Sequence, residues 1–142
     1  FRSLAPPVAI IASDVNTEVL GVARRGHYEA DRVARMSPTR LQQYFQQEAG
    51  GAWRIRPELQ RLVSFRTVNL LDPHWGLRGP LDAIFCRNVM IYFDKPTQYA
   101  ILKRFAPLLA SDGALYAGHS ESFQHASDLF RLVGRTVYRP VG

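Results

Sequence analysis

Cysteine is almost absent from this chain of 142 residues: Cys86 stands alone, which excludes an internal disulfide and any metal site built from several thiolates. Lysine is nearly as scarce, with 2 residues against 16 arginines, and the cations never stand more than two in succession. A net charge of +6 attracts polyanions, but arginines scattered in this way read as a solvated surface rather than a nucleic-acid footprint. The same charge favours docking onto an acidic protein. No apolar run approaches the ~20 residues needed to cross a bilayer, and no basic start leads into an apolar h-region. Membrane insertion and a signal peptide are therefore not expected, and a cytoplasmic location is the default. P-loop, HExxH and zinc-type Cys/His spacings are missing as well.

What the chain has is a globular composition, 46% hydrophobic and 21% charged, in a length that suits one domain. Val8 to Ala12 reads as a buried strand with Asp14 at its carboxyl end. Asn16 then suits a helix N-cap, with Arg24 and Arg25 in the last turn and Gly26 as a left-handed C-cap. Ser37-Pro38 opens a second helix. Trp53 to Arg56 alternates apolar and polar, and Leu62 to Leu71 does so more loosely, which predicts a small antiparallel ribbon. Asp82 to Arg87 is an apolar strand, and Asp94 caps a helix through Leu109. After a Ser111-Asp112-Gly113 turn, Ala114 to Ala117 is another buried strand. Phe130 to Val133 and Thr136 to Tyr138 then flank a Gly134-Arg135 hairpin turn. Strands alternating with helices and a closing hairpin predict an α/β fold with a mostly parallel sheet.

In such folds ligands bind beyond the carboxyl ends of the parallel strands, which singles out a few polar residues. Asp14 can accept hydrogen bonds from two ribose hydroxyls; as a plain alternative it belongs to the helix cap. Asn69 can read the edge of an adenine while Leu70 packs on its face, or it is an ordinary turn asparagine. Arg87 and Asn88 follow a fully apolar strand directly, so Arg87 either pairs with a carboxylate such as Asp14 or Asp82 or faces a ligand. Tyr92 lies between the apolar residues Ile91 and Phe93 and is equally readable as core. Gly118-His119-Ser120-Glu121-Ser122 approaches the Gly-x-Ser-x-Gly elbow of hydrolases, but serine replaces the last glycine, and a serine hydrolase is not favoured. Cys86 reads as a small buried hydrophobe.

Four blocks, Ala12 to Leu20, Val68 to Leu71, Phe85 to Asp94 and Gly118 to Glu121, resemble the chemotaxis-receptor glutamate methyltransferases, the CheR family. The resemblance runs from Ile10 to Tyr138. It implies a class I methyltransferase-like (Rossmann-like) sheet ending in an antiparallel hairpin, with an inserted β-subdomain at about residues 46–68. It also implies methyl transfer from S-adenosylmethionine, leaving S-adenosylhomocysteine, to glutamates on the cytoplasmic helices of chemoreceptors. On that reading Asp14, Asn69, Leu70, Arg87 and Asn88 bind the cofactor, and Tyr92 and Arg87 serve the reaction, with Tyr92 near the methyl group.

Two departures from the family pattern stand out. The Gly-rich motif of the first sheet strand and the N-terminal helical domain are absent, and the chain opens on Phe1. Residues 1–142 are thus expected to be a partial methyltransferase domain lacking its first sheet strand. The connection Gln47 to Ala52 is also shorter than in relatives that grip a receptor's C-terminal pentapeptide by β-augmentation, which predicts docking without that tether. The competing expectation is a degenerate or truncated module that binds a signalling partner without chemistry; a nucleic-acid methyltransferase ranks third.

Overall fold

A computed structural model describes residues 3–142, and the chain divides into two compact units, one running to Asp72 and one from Pro73.

The first unit begins with strand β1 (Ile10–Asp14) and helix α1 (Thr17–Arg25). Asn16 caps the helix: its side chain accepts the N–H groups of Glu18 at 2.9 Å and Val19 at 3.2 Å. Gly26 closes it at φ 63°, and a Cβ there would lie 2.4 Å from Ile55 Cγ2, so both conformation and space require glycine. Next come β2 (His27–Tyr28), α2 (Pro38–Tyr44), β3 (Phe45–Gln47) and β4 (Trp53–Ile55). Ser37 caps α2 through Arg40 N–H at 3.2 Å, and Arg56 donates to the terminal carbonyls of Gln42 and Gln43. The three short strands form an antiparallel sheet in the order β2-β4-β3. Glu48, between β3 and β4, pairs with Arg54 and His27, and the hydrogen bond from Arg54 above all holds its carboxyl below the ordinary range. A one-turn helix α3 (Pro57–Gln60) then leads to β5 (Val63–Thr67), which runs parallel to β1 in the register Ile10↔Val63 to Asp14↔Thr67.

The second unit holds β6 (Leu81–Cys86), α4 (Lys95–Phe105), β7 (Leu109–Ala117), β8 (Phe130–Gly134) and β9 (Val137–Pro140). Its sheet has the order β6-β7-β9-β8, with β6 and β7 parallel and β9 and β8 added antiparallel. Asp94 caps α4 by accepting Thr97 N–H at 2.9 Å, and hydrogen bonds from Thr97, its side chain's first and its N–H second, hold the Asp94 carboxyl low. Ile101, Leu102 and Phe105 of α4 are buried, and the most deeply buried large side chains of the chain, Met90, Leu102, Leu115, Phe123 and Phe130, all belong to this unit. Tyr138 packs against Phe123 and its hydroxyl accepts that residue's N–H at 3.2 Å.

The α/β class, the small antiparallel sheet and the closing hairpin are as the sequence predicts, but four details differ. The parallel strands fall in two separate sheets among the described residues, so β1 and β6 each keep a free edge. Consequently β1 is not buried, and Cys86 is the only buried residue of β6. The antiparallel sheet spans His27 to Ile55 instead of about 46–68, because β5 pairs with β1. Ser111-Asp112-Gly113 does not end an element: it lies inside the long β7 as an irregularity opposite Leu81–Ala83. Finally, an irregularity between Leu132 and Gly134 moves the hairpin turn one residue on, to Arg135-Thr136, with Thr136 at φ 59°.

Candidate functional site

Each unit carries polar residues at the carboxyl end of a parallel strand pair. In the first, the β1–β5 register sets Asp14 beside Thr67, and Val68 N–H donates to the Asp14 carbonyl at 3.1 Å, which brings Asp14 and the Asn69 turn to the same end. Asp14 is exposed; its Oδ1 accepts Asn16 N–H at 2.9 Å, while Oδ2 has no partner among the described residues. The helix cap itself is Asn16, so Asp14 is not needed for that task. Asn69 is exposed and its Oδ1 accepts Leu71 N–H at 2.9 Å, closing its own turn. That leaves the amide nitrogen as the group it can offer a ligand. Leu70 is half-buried, whereas Leu71 is 60% exposed.

In the second unit Arg87 leaves β6 directly after the buried Cys86. It is exposed and makes no ion pair among the described residues, so the alternative pairing with Asp82 is not formed. Asn88 follows in left-handed backbone, φ 60°, a strained state for a residue with a side chain. Val89 then leads into a 3-10 turn, Met90–Tyr92, in which Met90 is fully buried and Tyr92 is 80% exposed. Tyr92 is therefore not core. Gln98 of α4 holds this turn by donating from Nε2 to the carbonyls of Met90 at 2.8 Å and Phe93 at 2.9 Å.

The residue that sequence reasoning missed is Glu121, the one charged side chain that is buried among the described residues. Its Oε1 accepts the N–H groups of Gly118 and Asn88, and Oε2 that of Met90, each at 2.8 Å. Gly118 is the residue after β7, so one carboxylate ties the ends of β6 and β7 together. A Cβ on Gly118 would lie 2.5 Å from Asn88 Oδ1 and 2.8 Å from Glu121 Oε1, which leaves room for glycine only. The signal was the Gly118 to Glu121 block, but its near match to a hydrolase elbow drew attention to Ser120 instead. Ser120 and His119 are exposed and no hydrogen bond joins them among the described residues. Beside Glu121 a cleft of about 370 Å³ is lined by Met90, Ile91, Lys95, Gln98 and His125.

Burial pushes the Cys86 thiol up to about 12, with the Glu121 charge adding to the effect, so it is no nucleophile near neutral pH. Among the described residues no group of three His, Cys, Asp or Glu side chains is placed to hold a metal ion. No helix among them is long and apolar enough to cross a membrane. At its strand end the first unit offers a free carboxylate oxygen and an amide N–H₂, and at its own the second offers a guanidinium without an ion pair among the described residues and an exposed phenol, all groups that can bind a polar ligand.

Residues 2–139 match the family described as "CheR methyltransferase, SAM binding domain". The chain is 51% identical over 141 residues to "Chemotaxis protein methyltransferase 2" of Pseudomonas aeruginosa, a match that covers 97% of the chain and 50% of that relative. It is 52% identical over 132 residues to the "Chemotaxis protein methyltransferase" of Salmonella typhimurium, covering 91% of the chain and 46% of the relative. The chain thus spans about half the length of the curated relatives it matches.

Proposed function

Because the chain belongs to the CheR methyltransferase family, within its S-adenosylmethionine-binding domain, we propose that it serves methyl transfer to glutamate side chains of chemoreceptors. The products are glutamate methyl esters on the receptors' cytoplasmic helices, and the place of action is the cytoplasm. The observation that carries this reading is the set of exposed groups at the strand ends, above all Arg87, which has no ion pair among the described residues and precedes a turn whose backbone is held by Glu121.

The residues present fit S-adenosylmethionine. Asp14 keeps one oxygen free to accept a ribose hydroxyl, and Asn69 keeps its amide N–H₂ to donate to an adenine ring nitrogen. Arg87 supplies a cation for the amino-acid carboxylate, and Asn88 further hydrogen bonds. When bound, the cofactor supplies a methyl group on a sulfonium. A glutamate acceptor, with a pKa of about 4.3, is already ionised at neutral pH and needs no general base. That suits a site whose candidates are an arginine, a phenol and amides. The Tyr92 hydroxyl donates to the acceptor carboxylate and orients it, and the Arg87 charge attracts that carboxylate to the site. Since charge is neutralised as the methyl group moves, alignment and exclusion of water contribute more than stabilisation of either ion.

Calorimetric titration of S-adenosylhomocysteine into the chain tests the reading. Micromolar binding is expected. Asp14→Ala removes a hydrogen bond to a charged group, worth about 1.5–3 kcal/mol, and should weaken binding by about tenfold or more. Tyr92→Phe should leave the affinity unchanged and reduce turnover. Equal affinities of the parent and Asp14→Ala would refute the ribose assignment. A parent that binds nothing would instead favour a docking module without chemistry.

A further inference from the structure

We propose that Glu121 is the positioning residue of this site: its buried carboxylate sets the backbone that presents Arg87, Asn88 and Tyr92. The proposal rests on the reading of those three residues given above, and it assigns a task to the Gly118 to Glu121 block that no other role explains.

Parallel strands need no contact beyond their last ladder hydrogen bond, so the chain leaving β6 has no intrinsic reason to follow one path. Here three consecutive features fix it. Asn88 N–H turns to Glu121 Oε1, Asn88 adopts φ 60°, and Met90 N–H turns back to Oε2. The partners are 31 and 33 residues apart in sequence, so the constraint is tertiary. Arg87 precedes this loop and Tyr92 ends it, so the positions of both side chains depend on where its backbone runs.

Only a side chain with two acceptor oxygens at this reach satisfies the arrangement. Three N–H donors at 2.8 Å converge on two oxygens, two on Oε1 and one on Oε2. Glutamine has one oxygen. Facing Gly118 and Asn88, it turns its NH₂ against Met90 N–H; flipped, it turns NH₂ against the other two. Either way a backbone donor loses its acceptor in a buried place, where unmet donors are costly. Aspartate keeps both oxygens but is one methylene shorter and cannot reach both strand ends without movement of one. Gly118 completes the device, since any Cβ there would collide with Asn88 Oδ1 and Glu121 Oε1. A group held in this way by its neighbours is what a site built on a strained loop requires.

The experiment is hydrogen exchange at the amides of Asn88, Met90 and Gly118 in the full 142-residue chain, paired with S-adenosylhomocysteine titration of the same samples. Parent, Glu121→Gln, Glu121→Asp and Leu102→Val are compared well below their melting temperatures. Leu102→Val is a core change in α4 that lowers stability while leaving Glu121 and its three hydrogen-bond donors in place. In Glu121→Gln, exchange at Met90 or at the Asn88–Gly118 pair should quicken at least tenfold and ligand affinity fall about tenfold. Glu121→Asp should recover part of both. Leu102→Val should melt lower yet bind within twofold of the parent.

Unchanged exchange and affinity in Glu121→Gln would overturn the proposal. So would a loss of affinity in Leu102→Val that follows its loss of stability, because Glu121 would then be merely structural. Should Glu121→Gln fail to fold, Glu121→Asp decides by the same two measurements. If the parent binds no ligand, the cofactor reading fails for this chain, while the exchange rates still decide whether Glu121 sets the loop.

Discussion

Cys86, at the end of β6, and Glu121, just after β7, are both buried but differ in the partners they find. The thiol has nothing to stabilise its charge, so burial pushes it up to about 12, and the neighbouring carboxylate raises it further. At pH 8 only about one molecule in ten thousand then carries a thiolate. Native chain should therefore resist a thiol-disulfide reagent at that pH and react stoichiometrically once denatured; rapid native labelling would contradict the packing at the end of β6. Glu121, by contrast, is matched by three N–H donors. The sequence made Cys86 legible as a buried hydrophobe, because an apolar run surrounds it. It also pointed to Asp14, Arg87 and Asn88 through their place after apolar strands. Glu121 was not legible: two of its three partners lie more than thirty residues upstream, and nothing in local spacing shows which amides a carboxylate will meet. Tyr92 was ambiguous for a related reason. In Met90-Ile91-Tyr92-Phe93 every residue is apolar or aromatic, and only the 3-10 turn decides that Met90 goes inward and Tyr92 outward.

Among the elements, the small sheet β2-β4-β3 bears on how a receptor is engaged. Its β3–β4 connection is short and doubly tied: Glu48 N–H donates to the Ala52 carbonyl at 2.8 Å, and the Glu48 side chain pairs with Arg54 and His27. A strand-adding peptide requires a strand edge and a loop to hold its side chains. The edge of β3 is free, but a loop of five residues closed on itself offers little grip. We therefore expect no binding of a receptor C-terminal pentapeptide when it is titrated against the chain; micromolar binding would show that the edge alone suffices. Elements of this kind were readable where the signal is local. The caps Asn16, Ser37 and Asp94 lie where Asn, Ser and Asp precede helical patterns, and all three accept the expected N–H groups. Strand partners were not readable. The alternation of Val63 and Phe65 states that a strand exists but not that it pairs with β1, and the hairpin turn moved because one irregularity shifts everything after it.

For the molecule as a whole, the unbalanced feature is apolar surface at the free edges of its parallel strands. Val8, Ile10 and Ile11 at β1 are 41%, 48% and 38% exposed, and Phe85 on β6 is 71% exposed although it stacks on Tyr116 at 4.5 Å. Residues of this composition are normally covered on both sides in parallel sheets, and an uncovered apolar edge invites association. The relatives are about twice as long as this chain, so they contain further structure with which such edges can be covered. Covering Ile10, Ile11 and Phe85 is worth about 1 kcal/mol each, since between 38% and 71% of each is still in contact with water. About 3 kcal/mol in a protein of this size corresponds to a rise in melting temperature of about 10 °C. A chain that also contains the half of the relatives outside the match should therefore melt about 10 °C higher than the 142-residue chain and bind less of a hydrophobic dye. The comparison belongs in differential scanning calorimetry at several concentrations, because pairing of edges between copies would raise the melting temperature of the short chain as its concentration rises. Identical and concentration-independent melting of the two would mean that β1 and β6 are stable as edges.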